Sequence, residues 1–225
     1  MEKIAIQLWK NPDIEEEDFK NFLINEVPGS LKDHISSYQV NLPDEDVKEA
    51  AGLIQSCYPP SPNAIIFLKV KNFFHFEQKL SIFESHATNF FSYIVSESKI
   101  IEADDSKNLN RRTDGFSQIV FLEKPKNIDS FDWFDHWTHH HTEIAIETQS
   151  NFIYTQNTVA RKLNKESPNF IAIIEECFPS GAMSDQEEFY AAKGNPTLLK
   201  KNAEIMMESC NKFIDFSKIE VIPTS

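Results

Sequence analysis

One order of elements runs through this sequence twice, with a single polar interruption, and that pattern limits the folds open to it. Ile4, Ile6 and Leu8 alternate with Ala5, Gln7 and Trp9, which is the period of a strand. Pro12 and Asp13 open a helix, where the acidic run Glu15 to Asp18 suits the positive end of the dipole. Phe19, Phe22 and Leu23 give that helix an apolar stripe, and Pro28 and Gly29 are expected to stop it. Strands are expected at Ile35 to Leu42 and Asn63 to Val70, a helix around Phe76 to His86, and an extended segment from Phe90 to Ser96, which gives β-α-β-β-α-β. From Ser96 to Thr113 the text turns polar, broken by the pair Ile100 and Ile101, as in a connector.

The order then begins again. Phe116 to Glu123 alternates as a strand, and Ser130 caps a helix over Phe131 to Glu147. Phe152 to Arg161 and Phe170 to Phe178 read as strands, Ser184 with Glu187 as a capping box for a short helix ending near Gly194, and Asn195 with Pro196 as the start of a longer one. That longer helix carries Leu198, Leu199, Ile205, Met206 and Phe213 on one face, and Lys218 to Ile222 supplies a closing strand. Laying Ile6, Leu8 and Pro12 over Ile119, Phe121 and Pro125 suggests a repeat of 113 positions. The expected organisation is therefore a unit at 1–100, a connector at 101–113 and a second unit at 114–225. In each unit two helices cover one sheet face and leave the other bare. Two bare faces packed together make a barrel-like α+β body with room for a small molecule between the sheets.

The 225 residues carry 35 acidic and 22 basic side chains, a net charge of −13. A field of that sign repels nucleic acid and anionic lipid, so neither is an expected partner. The first residues lack the apolar core of a secretory signal, and no stretch approaches the ~20 apolar residues that cross a bilayer, so a soluble cytoplasmic protein is expected. Cys57, Cys177 and Cys210 show no CxxC spacing and read as reduced thiols. Phosphate-binding loops, GxSxG elbows and dinucleotide fingerprints do not occur, which sets aside the commonest nucleotide enzymes and serine hydrolases.

Four of the seven histidines fall within FDWFDHWTHHHTEIAIE. At ~100° per residue Phe134, Trp137, Ile144 and Ala145 share one side, with His141 near the middle of that stripe and His139 on the polar face. A histidine packed among rings needs a partner for its ring nitrogens, and its pKa is open to tuning by burial or by a carboxylate. His136 and His140 have the i, i+4 spacing of helical metal ligands but no HExxH base between them, and no metal is expected. The strand Phe152 to Arg161 has polar groups on both faces. Alternation directs one of the adjacent Glu175 and Glu176 inward.

The segments DGFSQIVFLEKP, DWFDHWTHHHTEIAIETQSNFIYTQNTVARKL and IIEECFPSGAMSDQEEFY resemble the EthD domain, of the dimeric α+β barrel superfamily. Trp137 and His141 match that family's Trp-x-x-x-His, Tyr154 to Asn157 its second strand, and Glu175 to Ser180 the stretch leading to Met183 and Phe189. The first half resembles a diverged second copy. The resemblance implies two tandem ferredoxin-like units packed through their sheets as an intrachain barrel, in a monomer or homodimer. It also implies a cavity for a small apolar organic molecule and chemistry without a cofactor. It favours His141 as acid or base, Glu176 as the group that orients it, and Tyr154 and Asn157 as hydrogen-bond donors. Trp137, Phe134, Gln118 and Phe178 are the expected lining. The reaction class implied is proton transfer, such as dehydration, decarboxylation or isomerisation, on a cyclic or polyketide-like compound. A non-catalytic ligand-binding or accessory protein of an oxidative degradation pathway is the alternative, and a structural domain with a filled interior is a third reading. The first helix of the first half has no histidine, so one site per chain is the most expected.

Overall fold

The computed structural model describes residues 1–102 and 112–225, so part of the expected connector, residues 103–111, lies outside the described residues. The chain opens with β1 (Glu2–Lys10), α1 (Glu16–Asn21), a π-helical turn (Phe22–Glu26), α2 (Val27–Leu31) and β2 (Ile35–Asn41). A 3₁₀ segment (Glu45–Leu53) and β3 (Gln55–Ser56) precede β4 (Ala64–Val70), α3 (Phe73–Phe76) with its 3₁₀ extension (Glu77–Ser85), and β5 (Ala87–Ile101). The second half contributes β6 (Phe116–Leu122), α4 (Ser130–Asp135), a π-helical turn (His136–His141), α5 (Thr142–Thr148), β7 (Ile153–Lys162) and β8 (Ala172–Phe178). A 3₁₀ turn (Ser180–Met183), α6 (Gln186–Phe189), α7 (Pro196–Phe213) and β9 (Ile219–Thr224) complete an α+β fold. Among the described residues no helix is long and apolar enough to cross a membrane.

Two compact units form: residues 1–43, 60–97 and 157–169 make the first, and residues 44–59, 98–156 and 170–225 the second. In the first, the strands run β2-β4-β1-β5, and β1 is antiparallel to both β4 and β5. Ile4, Ile6 and Leu8 of β1 and Ala64, Ile66 and Leu68 of β4 are fully buried against Phe19, Leu23 and Val27 of the helices. In the second unit the order is β7-β8-β6-β9-β3, and β6 is antiparallel to both β8 and β9. Its helix-facing core joins Leu122, Ala172, Ile174 and Val221 to Trp133, Trp137, Met206 and Phe213.

Three expected boundaries move, each for a local reason. The first helix continues through Pro28 and Gly29, because the π-helical turn resets the hydrogen-bond ladder and Pro28 falls in the first turn of α2, where a missing N–H costs nothing. The strand expected to end at Ser96 continues to Ile101, since Ile100 and Ile101 pack on the second unit's core. The cap of α6 is Asp185 rather than Ser184: its carboxylate accepts from Glu187 N at 2.8 Å, and the Glu187 carboxylate accepts from Gly194 N at 2.8 Å.

The two halves share details beyond element order. The Lys10 ammonium donates to the carbonyl of Ile14, and the Lys124 ammonium to that of Ile128, each tying the strand end to the loop that enters the first helix. Those positions are 114 apart, as are the starts of the π-helical turns at Phe22 and His136. The register read from sequence, 113, would pair helix-facing Ile6 with Ile119. Alternation from Val120 and Leu122 puts Ile119 on the opposite face of β6.

Segment 44–59 is held in the second unit by a buried carboxylate. Glu220, only 1% exposed, accepts from the backbone N–H of Cys57 and of Tyr58 at 2.7 Å each, and from Ser56 Oγ at 3.1 Å. Glu220→Ala leaves those donors without an acceptor. We expect a loss of about 2–4 kcal/mol in urea unfolding, with proteolysis appearing first between residues 44 and 59. Unchanged stability would show that this carboxylate does not hold the segment.

Candidate functional site

On the helix-facing side of the second unit, alternation from Val120 and Leu122 brings Gln118 inward, and alternation from Ala172 and Ile174 brings Glu176 inward. The two lie directly opposite each other across β6 and β8, and Gln118 has Pro223 of β9 on its other side. Gln118, Val120 and Glu176 lie on interior strands, yet each retains accessible surface. Their counterparts in the first unit at the 114 spacing, Ile4 for Gln118 and Ile6 for Val120, are sealed. The helix-facing side of the second unit's sheet is thus less completely filled at these positions than that of the first.

Aromatic side chains and a polar network share this side of the sheet. Trp137 and Tyr154 are fully buried. Gln156 Nε2 donates to Tyr154 Oη at 3.0 Å and to Thr142 Oγ1 at 2.7 Å, and Thr142 Oγ1 donates to the Trp137 carbonyl at 2.8 Å. Burial raises the Tyr154 phenol, with the Glu176 charge as a further cause, so it stays protonated. Glu176 accepts from Asn151 Nδ2 at 3.2 Å, and burial pushes its carboxyl up to about 7 against that one stabilising bond. On α7, burial first, then the Glu176 charge, pushes the Cys210 thiol up to about 12.

The π-helical turn decides where the histidines point. An i→i+5 turn inserts one residue, so the sheet-facing stripe reads Trp133, Trp137, Thr142, Ala145 and Thr148, all buried. His141, expected in the middle of that stripe, is half-buried and turns toward α7, and Phe134 is half-buried between Trp133 (5.1 Å) and Trp137 (6.1 Å). His141 Nδ1 lies 3.0 Å from Ser209 Oγ, which is also 3.1 Å from His136 Nε2, and its ring sits 4.7 Å from that of Phe213. Burial, with a smaller effect of His136, lowers His141 to about 4, so the imidazole is neutral at pH 7. His139 and His140 are exposed beside Asp135. No group of three or more metal-ligating side chains converges among the described residues.

Of the residues singled out from sequence, Tyr154, Trp137, Gln118 and Glu176 gather on the helix-facing side of the sheet, with Phe134 at its margin. Phe178 stacks on Phe116 (5.6 Å) and Phe189 (4.6 Å) in a separate small cluster. Asn157 is fully buried but falls on the other face of β7 from Tyr154, within residues grouped with the first unit. Gln156, Asn151 and Ser209 were not singled out. Gln156 was visible from alternation, sharing the face of Tyr154. Asn151, in a loop, and Ser209, on the packed side of α7, carry no such signal.

The family model of the EthD domain matches residues 125–217. No curated protein matches the chain. Among solved structures, an anthrone oxidase-like protein aligns over 99% of this chain and 89% of its own, with a TM-score of 0.59 and 10% identity. A chlorite dismutase-like protein aligns over 100% and 94%, with a TM-score of 0.49 and 9% identity. At 10% identity the likeness to the anthrone oxidase-like protein is one of fold.

Proposed function

We propose that the second unit, whose residues 125–217 match the family model of the EthD domain, is a small-molecule enzyme that moves a proton on an apolar cyclic or polyketide-like compound, without a resident cofactor. The observation that carries this reading is Glu176: a half-buried mid-sheet carboxyl opposite Gln118, brought to about 7 by desolvation, on the side of the sheet that holds Trp137, Val120 and Tyr154. A proton carrier works best when its pKa lies near the working pH, which favours Glu176 over His141 at about 4. Glu176 accepts a proton from an acidic C–H or O–H of the substrate and returns it. Asn151 orients the carboxylate, and the Gln156 and Thr142 network holds the Tyr154 ring in place. His141, neutral and bonded to Ser209, keeps a role in shaping the α7 side. The anthrone oxidase-like fold neighbour is in keeping with a flat ring system as substrate.

A bicyclic ketone with an exchangeable ring C–H, 2-tetralone, serves as probe. Incubated in deuterated buffer, the wild-type chain is expected to accelerate deuterium uptake next to the carbonyl. His141→Phe is expected to keep that rate within a few-fold. A loss of a hundredfold or more in this variant would return the proton-carrying role to the histidine. Binding of 2-tetralone with no acceleration by the wild-type chain would favour the ligand-binding alternative.

A further inference from the structure

A groove of about 710 Å³ opens on the second unit where the turn after β6 meets the chain leaving α7, lined by residues 125–128 on one side and by residues between 211 and 218 on the other. The first unit closes the same junction. There Asn11 N donates to the His86 carbonyl at 2.9 Å, and the His86 ring stacks on that of Phe22 at 3.8 Å. At the 114 spacing Asn11 becomes Pro125, which has no N–H to give. His86 alone links the helical segment ending at Ser85 to β5, whereas Ile214 to Lys218 link α7 to β9. A lost donor and a longer connection thus leave the second junction open.

The lining joins apolar to basic side chains. Ile128 and Ile214 are half-buried, and Phe216 is 40% exposed. Lys126, Lys212 and Lys218 stand around the groove with Asp215 as the one acid of its lining, in a chain whose net charge is −13. Asp215 is engaged locally, its Oδ1 accepting from Ser217 N at 3.1 Å and from Ser217 Oγ at 2.6 Å, and Lys218 is paired with Glu123 at 2.9 Å. Lys126 is exposed and has no ion-pair partner among the described residues, and the pair of Lys212 with Glu208 at 3.2 Å is an exposed one of small worth. Two ammoniums are therefore available beside apolar surface. We propose that this groove binds a small amphipathic carboxylate, its apolar body against Ile128, Ile214 and Phe216 and its anionic head on Lys126 and Lys212. The volume suits such a ligand, and the local positive charge attracts an anion that the rest of this acidic chain repels. The assignment does not rest on the reading of Glu176.

Calorimetric titration of the full chain with 2-naphthoate, and with 2-naphthalenemethanol as its uncharged counterpart, tests the assignment. The wild-type chain is expected to bind 2-naphthoate saturably, and less tightly at high salt. Lys126→Gln combined with Lys212→Gln should weaken that binding about three- to tenfold and leave the alcohol unaffected, while Phe216→Ser should weaken both. Deuterium uptake into 2-tetralone should be the same in these variants, which separates the groove from Glu176. Titrations with 2-naphthoate that do not saturate, or an affinity that neither change alters, overturn the groove as a carboxylate site. Equal weakening of acid and alcohol by the lysine changes overturns the role of the two ammoniums.

Discussion

Glu176→Gln is expected to slow deuterium uptake into 2-tetralone by about 10²- to 10⁴-fold, the loss usual when a positioned acid or base is removed. In the wild-type chain the rate should climb with pH through about 7, as the carboxyl ionises. The residual rate of the variant should lack that step. Retention of the wild-type rate within a few-fold would end the case for Glu176 as proton carrier.

The same substitution has a ligand-free signature in stability. The folded carboxyl binds its proton up to about pH 7, whereas an ordinary one loses it near 4.5. Between those values the folded state holds the extra proton, so this contribution is present below about pH 4.5 and is lost as pH rises through 7. Glu176→Gln keeps a neutral, similarly shaped group. It should match the wild type near pH 4.5 and exceed its stability by on the order of 3 kcal/mol at pH 8, at ~1.4 kcal/mol per unit of pKa. His141 acts in the opposite sense: with its pKa lowered from 6.5 to about 4, its contribution is lost as pH falls through that window. In the wild type the two effects offset each other between about pH 4.5 and 6.5. Urea titrations of Glu176→Gln across that range should therefore uncover an acid destabilisation that the wild type masks. A variant that is no more stable than the wild type at pH 8 would show that the carboxyl is not held away from its ordinary range. A gain in stability that accompanies a loss of exchange is the pattern expected when burial tunes a group for chemistry at the fold's expense.

Trp133→Ala should be the most damaging core change in the second unit. The ring is fully buried, stacks within 5.2 Å of Trp137 and 5.7 Å of Phe213, and donates from Nε1 to the Phe213 carbonyl at 2.8 Å. Truncation removes that contact area, leaves a cavity and strands the carbonyl that ends α7, a combined loss of about 3–5 kcal/mol. The midpoint of urea unfolding should fall accordingly, and the 2-tetralone exchange rate should drop as α4 and α7 lose their shared anchor. A loss below 1 kcal/mol would mean that the helix layer is not keyed by this ring.

Much of this arrangement was legible from residue order. Strand alternation located β1, β4, β6 and β8, and Asn195 with Pro196 marked the start of α7. The histidine-bearing helix, which has no counterpart in the first half, and the polar residues of β7 and β8 marked the half expected to carry chemistry. The π-helical turns were not legible. A hydrophobic stripe read at 3.6 residues per turn placed His141 among the rings, whereas one inserted residue gives that place to Thr142. The repeat register failed for a related reason: a slip of one residue exchanges the two faces of a strand, and the apolar residues Ile119 and Val120 satisfy either choice.

Local patterning thus determined by itself where most of the strands and helices lie and that the histidine helix belongs to the second half, since both depend on side-chain periodicity within a few turns. Tertiary packing decided which mid-sheet side chains stay partly open and which carboxyl is desolvated. These depend on atoms brought together from β6, β8 and α7, and the free energy of burying a charge or leaving a void has no counterpart in the order of residues along one segment.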